Sequence, residues 1–114
     1  MENRTKVCII GAGAMGTSLG NALALKPELE VTLLSVEEDV IESINKNQIN
    51  EKYFPSTLLT WRLKATSDVK VLSQHHFVFM AIPSSSIIEY TSYNLHYQTK
   101  QHRVLDIYLI LSKS

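Results

Sequence analysis

Residues Val7 to Ala24 read VCIIGAGAMGTSLGNALA. The apolar run Val7-Cys8-Ile9-Ile10 has the length of a buried parallel strand. It enters Gly11-Ala12-Gly13-Ala14-Met15-Gly16, a complete G-x-G-x-x-G. Beyond the turn, Met15, Leu19, Ala22 and Leu23 recur at helical spacing and predict one apolar helix face. Strand, glycine turn and helix, in that order, are the setting that a dinucleotide-binding fingerprint requires.

The chemistry behind the pattern is specific. A sharp turn leaves the strand at Gly11, and Gly13 offers no side chain where a pyrophosphate would approach. Gly16 lets the helix lie close to the sheet. The helix then turns its free N–H groups and positive dipole end toward the phosphates. A plain glycine-rich turn accounts for one such glycine, but poorly for three at this spacing.

Working outward, 114 residues make one domain with a real core, not two ordinary ones. A hydrophobic fraction of 45% and a charged fraction of 19% are those of a soluble globular protein. Zero formal net charge argues against nucleic-acid or membrane-surface binding driven by bulk charge. No apolar run approaches a membrane span, and Met1 to Lys6 lacks the apolar centre of a signal peptide. A cytoplasmic location is the default expectation. The single cysteine, Cys8, falls in the first predicted strand and reads as a small buried hydrophobe.

Along the chain, Pro27 should end the first helix near Lys26. Glu30 to Leu34 reads as a second strand. Ser35-Val36-Glu37-Glu38 is an S-x-x-E capping box ahead of a helix through Val40, Ile41 and Ile44. The polar stretch Asn45 to Asn50 should close that helix. A loop follows from Tyr53 to about Arg62, with Tyr53 and Trp61 expected to pack beneath it. Leu63 to Ala65 reads as a short strand, and Ser67-Asp68 as a helix start. Phe77 to Ile82 is the clearest strand after the first and stops at Pro83. Ser84-Ser85-Ser86 can cap a helix through Ile87, Ile88 and Tyr90. Val104 to Leu111 is the last apolar run. Alternating strands and helices predict an α/β fold: a Rossmann-type, doubly wound parallel sheet of about five strands in a single domain over residues 1–114. Gly11, Ser35, Pro83 and Lys113 lie at or just after strand ends, so they should converge where such sheets bind ligands.

The chain resembles the N-terminal domain of NAD(P)-dependent sn-glycerol-3-phosphate dehydrogenases. The resemblance rests on GAGAMGTSLGNALA, VTLLSVEED, INKNQINEKYFP, LKATSDV, FVFMAIPSSSI and ILSKS taken together. The N-x-x-Y-x-P element (Asn50, Tyr53, Pro55) and the strand ending Pro83-Ser84 are its most telling pieces. It runs from about Lys6 to Ser114 and weakens between Tyr93 and Tyr108. It implies cofactor contacts at Ala14 and Met15 in the turn, where the family more often has serine and a large aromatic. It also implies contacts at Val36 beside the adenine ribose, and at Ser84 and Ser86 along the nicotinamide side. Lys113 matches the family's first active-site lysine, near cofactor and substrate, and is the candidate catalytic residue. The family usually reads Lys-Gly there, whereas this chain reads Lys113-Ser114 and stops. The family's C-terminal helical substrate domain, with its second lysine, is absent, so these residues look like a cofactor-binding half.

The implied reaction is hydride transfer interconverting sn-glycerol 3-phosphate and dihydroxyacetone phosphate in the complete enzyme, with NAD or NADP as cofactor. Lys113 would place positive charge near the reacting oxygen; without the resemblance, a terminal lysine is a solvated charge. Turnover by the 114 residues alone is not expected, because holding a cofactor does not position a substrate. Ser35 can cap a helix and face the ribose at once. Domains of this kind often carry an acid there for NAD and an arginine for NADP. Glu37 and Glu38 would repel a 2′-phosphate, which tips the expectation toward NAD, although both could serve only the helix dipole. His75, His76, His96 and His102 offer no metal-ligand spacing and read as surface or loop residues. The serine run lacks a nucleophile-elbow pattern. No metal and no nucleic acid is expected as a partner, and a homodimer stays open. The rival reading is a stand-alone dinucleotide-binding module, or an inactive fragment, that docks a separate partner. A two-domain dehydrogenase acting on another hydroxy acid is a third, with the N-x-x-Y-x-P element against it.

Overall fold

The computed structural model describes residues 4–83 and 106–112. Five strands form one sheet: β1 (Thr5–Ile10), β2 (Leu29–Leu34), β3 (Lys64–Thr66), β4 (Phe77–Pro83) and β5 (Asp106–Ser112). Their order is β3-β2-β1-β4-β5, and every pairing is parallel. Helix α1 (Ala14–Ala24) follows β1, and α2 (Glu38–Asn47) follows β2. A short 3-10 segment, Val69–Gln74, leads into β4. The chain reverses its direction of travel across the sheet between β1 and β4, which is the switch point of a Rossmann-type fold.

Alternation along the central strand sorts the core into two layers. Val7 and Ile9 face one side with Val31, Leu33 and the buried α2 residues Val40, Ile41 and Ile44. Cys8 and Ile10 face the other side with Leu34, Val78, Met80 and Leu72 of the 3-10 segment. β1 is therefore apolar on both faces, as a central parallel strand must be. Burial pushes the Cys8 thiol up to about 12, which leaves it inert at neutral pH.

The helix face predicted for α1 is displaced. Its buried residues are Gly16, Thr17, Gly20 and Ala24, while Ala22 is exposed. Met15, Leu19 and Leu23 flank that strip and pack on the core from partly buried positions. Small residues lie underneath because the helix runs close to the sheet. A Cβ on Gly20 would sit 2.8 Å from Leu33 Cδ2 and 3.1 Å from Leu63 Cδ1.

The capping box does not form. Glu37, not Ser35, is the N-cap residue of α2. The Ser35 N–H donates to Thr66 O at 2.9 Å and keeps Ser35 in line with the sheet. The helix begins only after a turn in which Ser35 Oγ accepts from Glu37 N at 3.1 Å. At the other end, Gln48 takes the left-handed conformation (φ 56°), and its N–H closes the helix on Ile44 O at 3.1 Å. This agrees with the polar stop expected over Asn45 to Asn50.

Asn45 also completes the sheet edge. Its Nδ2 donates to Ala65 O and its Oδ1 accepts from Ala65 N, both at 2.9 Å. One side chain thus imitates a neighbouring strand along β3. The helix expected from Ser67-Asp68 is the 3-10 segment, capped by Asp68 Oδ1 accepting from Lys70 N at 3.0 Å.

Other expectations need correction. Trp61 is exposed (68%), as is Tyr53; Leu59 and Leu63 carry the loop into the core instead. The Arg62 guanidinium lies over the Trp61 ring at 5.8 Å. His75 lies in the connection before β4, one of the two settings expected for it, but is buried there, and its Nδ1 bonds Val71 O. His76 joins β1 to β4: its N–H donates to Lys6 O at 2.8 Å, and its Nδ1 accepts from Lys6 N at 2.9 Å. His96, His102 and the helix expected after Ser84 lie outside the described residues.

Candidate functional site

Parallel pairing brings the carboxyl ends of all five strands to one edge. Ile10 lies opposite Leu34 and Met80, and Leu34 lies opposite Thr66. Gly11 and Ser35 therefore leave adjacent strands side by side. β4 and β5 run further and end opposite one another at Pro83 and Ser112.

At the centre of that edge is the glycine turn. Gly11 has φ 114°, a conformation strained for any residue with a side chain, and its N–H donates to Leu34 O at 2.8 Å. Gly13 is the N-cap of α1, with no side-chain cap, and a Cβ placed on it would meet nothing within 4 Å. Gly16 is tightly enclosed: a Cβ there would lie 2.1 Å from Gly11 O. The turn thus folds hard against the start of its own helix while its outer side stays clear. No acid lies in the first turn of α1, whereas α2 carries Glu38 and Asp39 there. The dipole of α2 is met by its own carboxylates, and that of α1 is left for an external anion.

Ala14 is exposed on the first turn, and Met15 leans into the core. Ser35 is buried, its N–H and Oγ both engaged as described above. Val36 is 78% exposed at the end of β2. Gly11, Gly13, Ala14, Met15, Gly16, Ser35 and Val36 thus share the edge where β1 and β2 end. Ser84, Ser86 and Lys113 lie outside the described residues. Among the described residues, no group of three or more His, Cys, Asp and Glu could hold a metal ion.

The structure adds residues that sequence reasoning had not assigned to this edge. Lys52 Nζ lies 2.6 Å from Glu37 Oε1, and the Tyr53 hydroxyl donates to Glu37 Oε2 at 2.8 Å. These partners hold the Glu37 carboxyl below its ordinary value, Lys52 contributing most. The repulsion that Glu37 was expected to offer a 2′-phosphate is therefore countered by a cation. Asn50 is fully buried and reaches the turn itself: its Nδ2 donates to Ala12 O and to Thr17 Oγ, both at 2.8 Å. Asn50 and Tyr53 sit in the N-x-x-Y-x-P element, and that element was the only signal in the sequence that could have marked them.

An all-parallel sheet in this order, with an uncapped glycine turn at its switch point, defines a Rossmann-type domain. The family model for the NAD-dependent glycerol-3-phosphate dehydrogenase N-terminus matches residues 6–110, and the chain belongs to that family. The glycerol-3-phosphate dehydrogenase [NAD(P)+] of Neorickettsia sennetsu is 42% identical over 81 residues, covering 71% of this chain and 24% of the relative. That of Leptospira biflexa is 41% identical over 83 residues, covering 72% of this chain and 25% of the relative. The solved glycerol-3-phosphate dehydrogenase of Saccharomyces cerevisiae superposes with a TM-score of 0.79 at 25% identity, over 96% of this chain and 34% of that one. The chain matches only about a quarter of the length of these curated relatives.

Proposed function

We propose that this chain holds NAD or NADP as the cofactor-binding part of a glycerol-3-phosphate dehydrogenase. The observation that carries the reading is the Gly11–Gly16 turn. It is closed toward the sheet by backbone contact and, among the described residues, open on its outer side and followed by a helix with neither a side-chain cap nor an acid in its first turn. A pyrophosphate fits that set of features: the turn admits backbone approach at Gly13, and the helix start favours negative charge. Val36 and the Glu37–Lys52–Tyr53 group flank the ribose at the end of β2. Lys52 makes a 2′-phosphate tolerable there, so the preference for NAD rests on Glu38 alone.

The bound cofactor supplies the hydride chemistry at its nicotinamide ring. The chain's own residues would orient it: the turn would fix the diphosphate, and the family resemblance assigns Ser84 and Ser86, outside the described residues, to the nicotinamide side. By the same resemblance Lys113, also outside the described residues, would supply positive charge to the reacting oxygen of glycerol 3-phosphate or dihydroxyacetone phosphate. No helix among the described residues is long and apolar enough to cross a membrane.

Calorimetric titration of the chain with NADH and then NADPH tests the cofactor reading. Saturable binding that disappears in Gly13→Val is the expected result. A folded chain that binds neither nucleotide refutes it.

A further inference from the structure

Within the described residues, the side chain with the most telling surroundings is Asn50. It is fully buried, 38 residues from Ala12 in sequence, and bonded at every polar atom. Its Nδ2 has two hydrogens and two acceptors, Ala12 O and Thr17 Oγ, both at 2.8 Å. Its Oδ1 accepts from Tyr53 N at 3.1 Å. The amide orientation is thereby fixed, since a flip would set Oδ1 against the Ala12 carbonyl. The Thr17 hydroxyl in turn donates to Ala12 O at 3.3 Å. The Ala12 carbonyl therefore receives two hydrogen bonds, one from α1 and one from the segment after α2. That segment is itself closed by Phe54 N donating to Asn50 O at 2.8 Å.

The consequence lies at the other end of the same peptide group. In a trans peptide the C=O and N–H vectors are opposed. Drawing the Ala12 oxygen inward toward Asn50 and Thr17 turns the Gly13 N–H outward, toward the open side of the turn. Gly13 itself adds little to fix this orientation: its carbonyl accepts from Thr17 N at 3.0 Å, but it bears no side chain, and among the described residues nothing crowds the space around its Cβ position. We infer that Asn50 and Thr17 are positioning residues, a clamp on the Ala12 carbonyl that aims the Gly13 N–H at the cofactor diphosphate. The inference rests on the cofactor reading above. It assigns a role to a side chain 38 residues from the turn in sequence, acting through the Ala12 carbonyl.

The test compares the 114-residue chain with Asn50→Leu, Thr17→Val and Thr17→Ser. Asn50→Leu removes both amide bonds to the clamp while keeping the number of side-chain heavy atoms. Thr17→Val removes only the hydroxyl, and Thr17→Ser retains it. Binding of ADP and of adenosine is followed by ligand-observed NMR, and backbone amide exchange is followed residue by residue. Asn50→Leu is expected to weaken ADP on the order of tenfold, as a turn that spends most of its time misaligned would. Adenosine, which has no diphosphate, is expected to bind as before. Exchange should quicken at Thr17, whose N–H is held by Gly13 O at 3.0 Å, while β1 and β4 keep their protection. Thr17→Val should give a smaller loss, and Thr17→Ser should restore ADP binding. A folded Asn50→Leu chain with unchanged ADP affinity overturns the clamp, as does an equal loss for adenosine or a uniform rise in exchange. If Asn50→Leu does not fold, equal ADP affinity in Thr17→Val and Thr17→Ser overturns it. A parent chain that binds neither ADP nor NADH instead refutes the cofactor reading and removes the basis of the clamp. Failure of the clamp alone leaves parent binding intact.

Discussion

Replacing Gly16 by alanine adds one methyl group at the most crowded point of the turn. That carbon would lie 2.1 Å from Gly11 O and 3.0 Å from Gly11 C, with Ala81 Cβ at 3.6 Å. The obstacle is backbone and cannot rotate away. Gly11 is held by its φ of 114° and by the 2.8 Å bond from its N–H to Leu34 O. Relief therefore requires α1 to move outward by roughly 1 Å, and a shift of that size loosens the packing under Gly20 as well. Overpacking of this kind costs about 1–3 kcal/mol, occasionally more. Because the obstruction is rigid, the upper part of that range applies, and the gain in helix propensity, about 1 kcal/mol, offsets part of it. The net expectation is a loss of about 2 kcal/mol, or a thermal midpoint lower by roughly 10 °C. Circular dichroism melts and urea titration measure it directly. Two comparisons sharpen the test. At Gly20 the obstructing atoms are the side-chain ends Leu33 Cδ2, Leu63 Cδ1 and Ile9 Cδ1, which can give way, so Gly20→Ala should cost about 1 kcal/mol or less. At Gly13 there is no obstruction and φ is −78°, so Gly13→Ala should leave the midpoint within about 2 °C of the parent. A Gly16→Ala chain melting with the parent, or a Gly20→Ala chain losing as much as Gly16→Ala, would refute this account of the turn.

Removing the amide of Asn45 leaves the N–H and C=O of Ala65 without their shared partner, so Asn45→Leu should destabilise the chain by about 2 kcal/mol in a urea titration. Lys52→Met should raise the titration midpoint of Glu37 toward 4.5, read by carboxyl NMR; the midpoint should stay below that value because the Tyr53 hydroxyl still donates to it. The folded pKa of Glu37 is depressed, so its small stabilising contribution is present above its unfolded pKa and is lost as pH falls through the folded value. Burial likewise depresses the pKa of His75 from 6.5, so its contribution is present above pH 6.5 and falls away below it as the unfolded state takes up the proton. A His75→Gln chain should show a flatter stability profile between pH 7 and pH 5 than the parent, measured by urea titration at each pH.

Local residue order was enough to read the strand, the glycine turn and the start of the helix after it. Those features depend on neighbours a few residues apart: a four-residue apolar run, glycines at fixed offsets, and a proline that stops the helix. It also gave the parallel α/β class, because strand and helix periods alternate along the chain. It misplaced the buried face of α1, since hydrophobic spacing favours large residues, whereas closeness to the sheet selected Gly16, Thr17, Gly20 and Ala24. It placed the cap of α2 at Ser35, because local pattern does not reveal that β3 holds the Ser35 N–H in the sheet. Only the tertiary structure brought Asn50 to Ala12 and Lys52 to Glu37. An asparagine or a lysine in a polar loop carries no mark of its partner, and the pairing exists only once α2 has folded back across the sheet and returned the chain to the edge where β1 and β2 end.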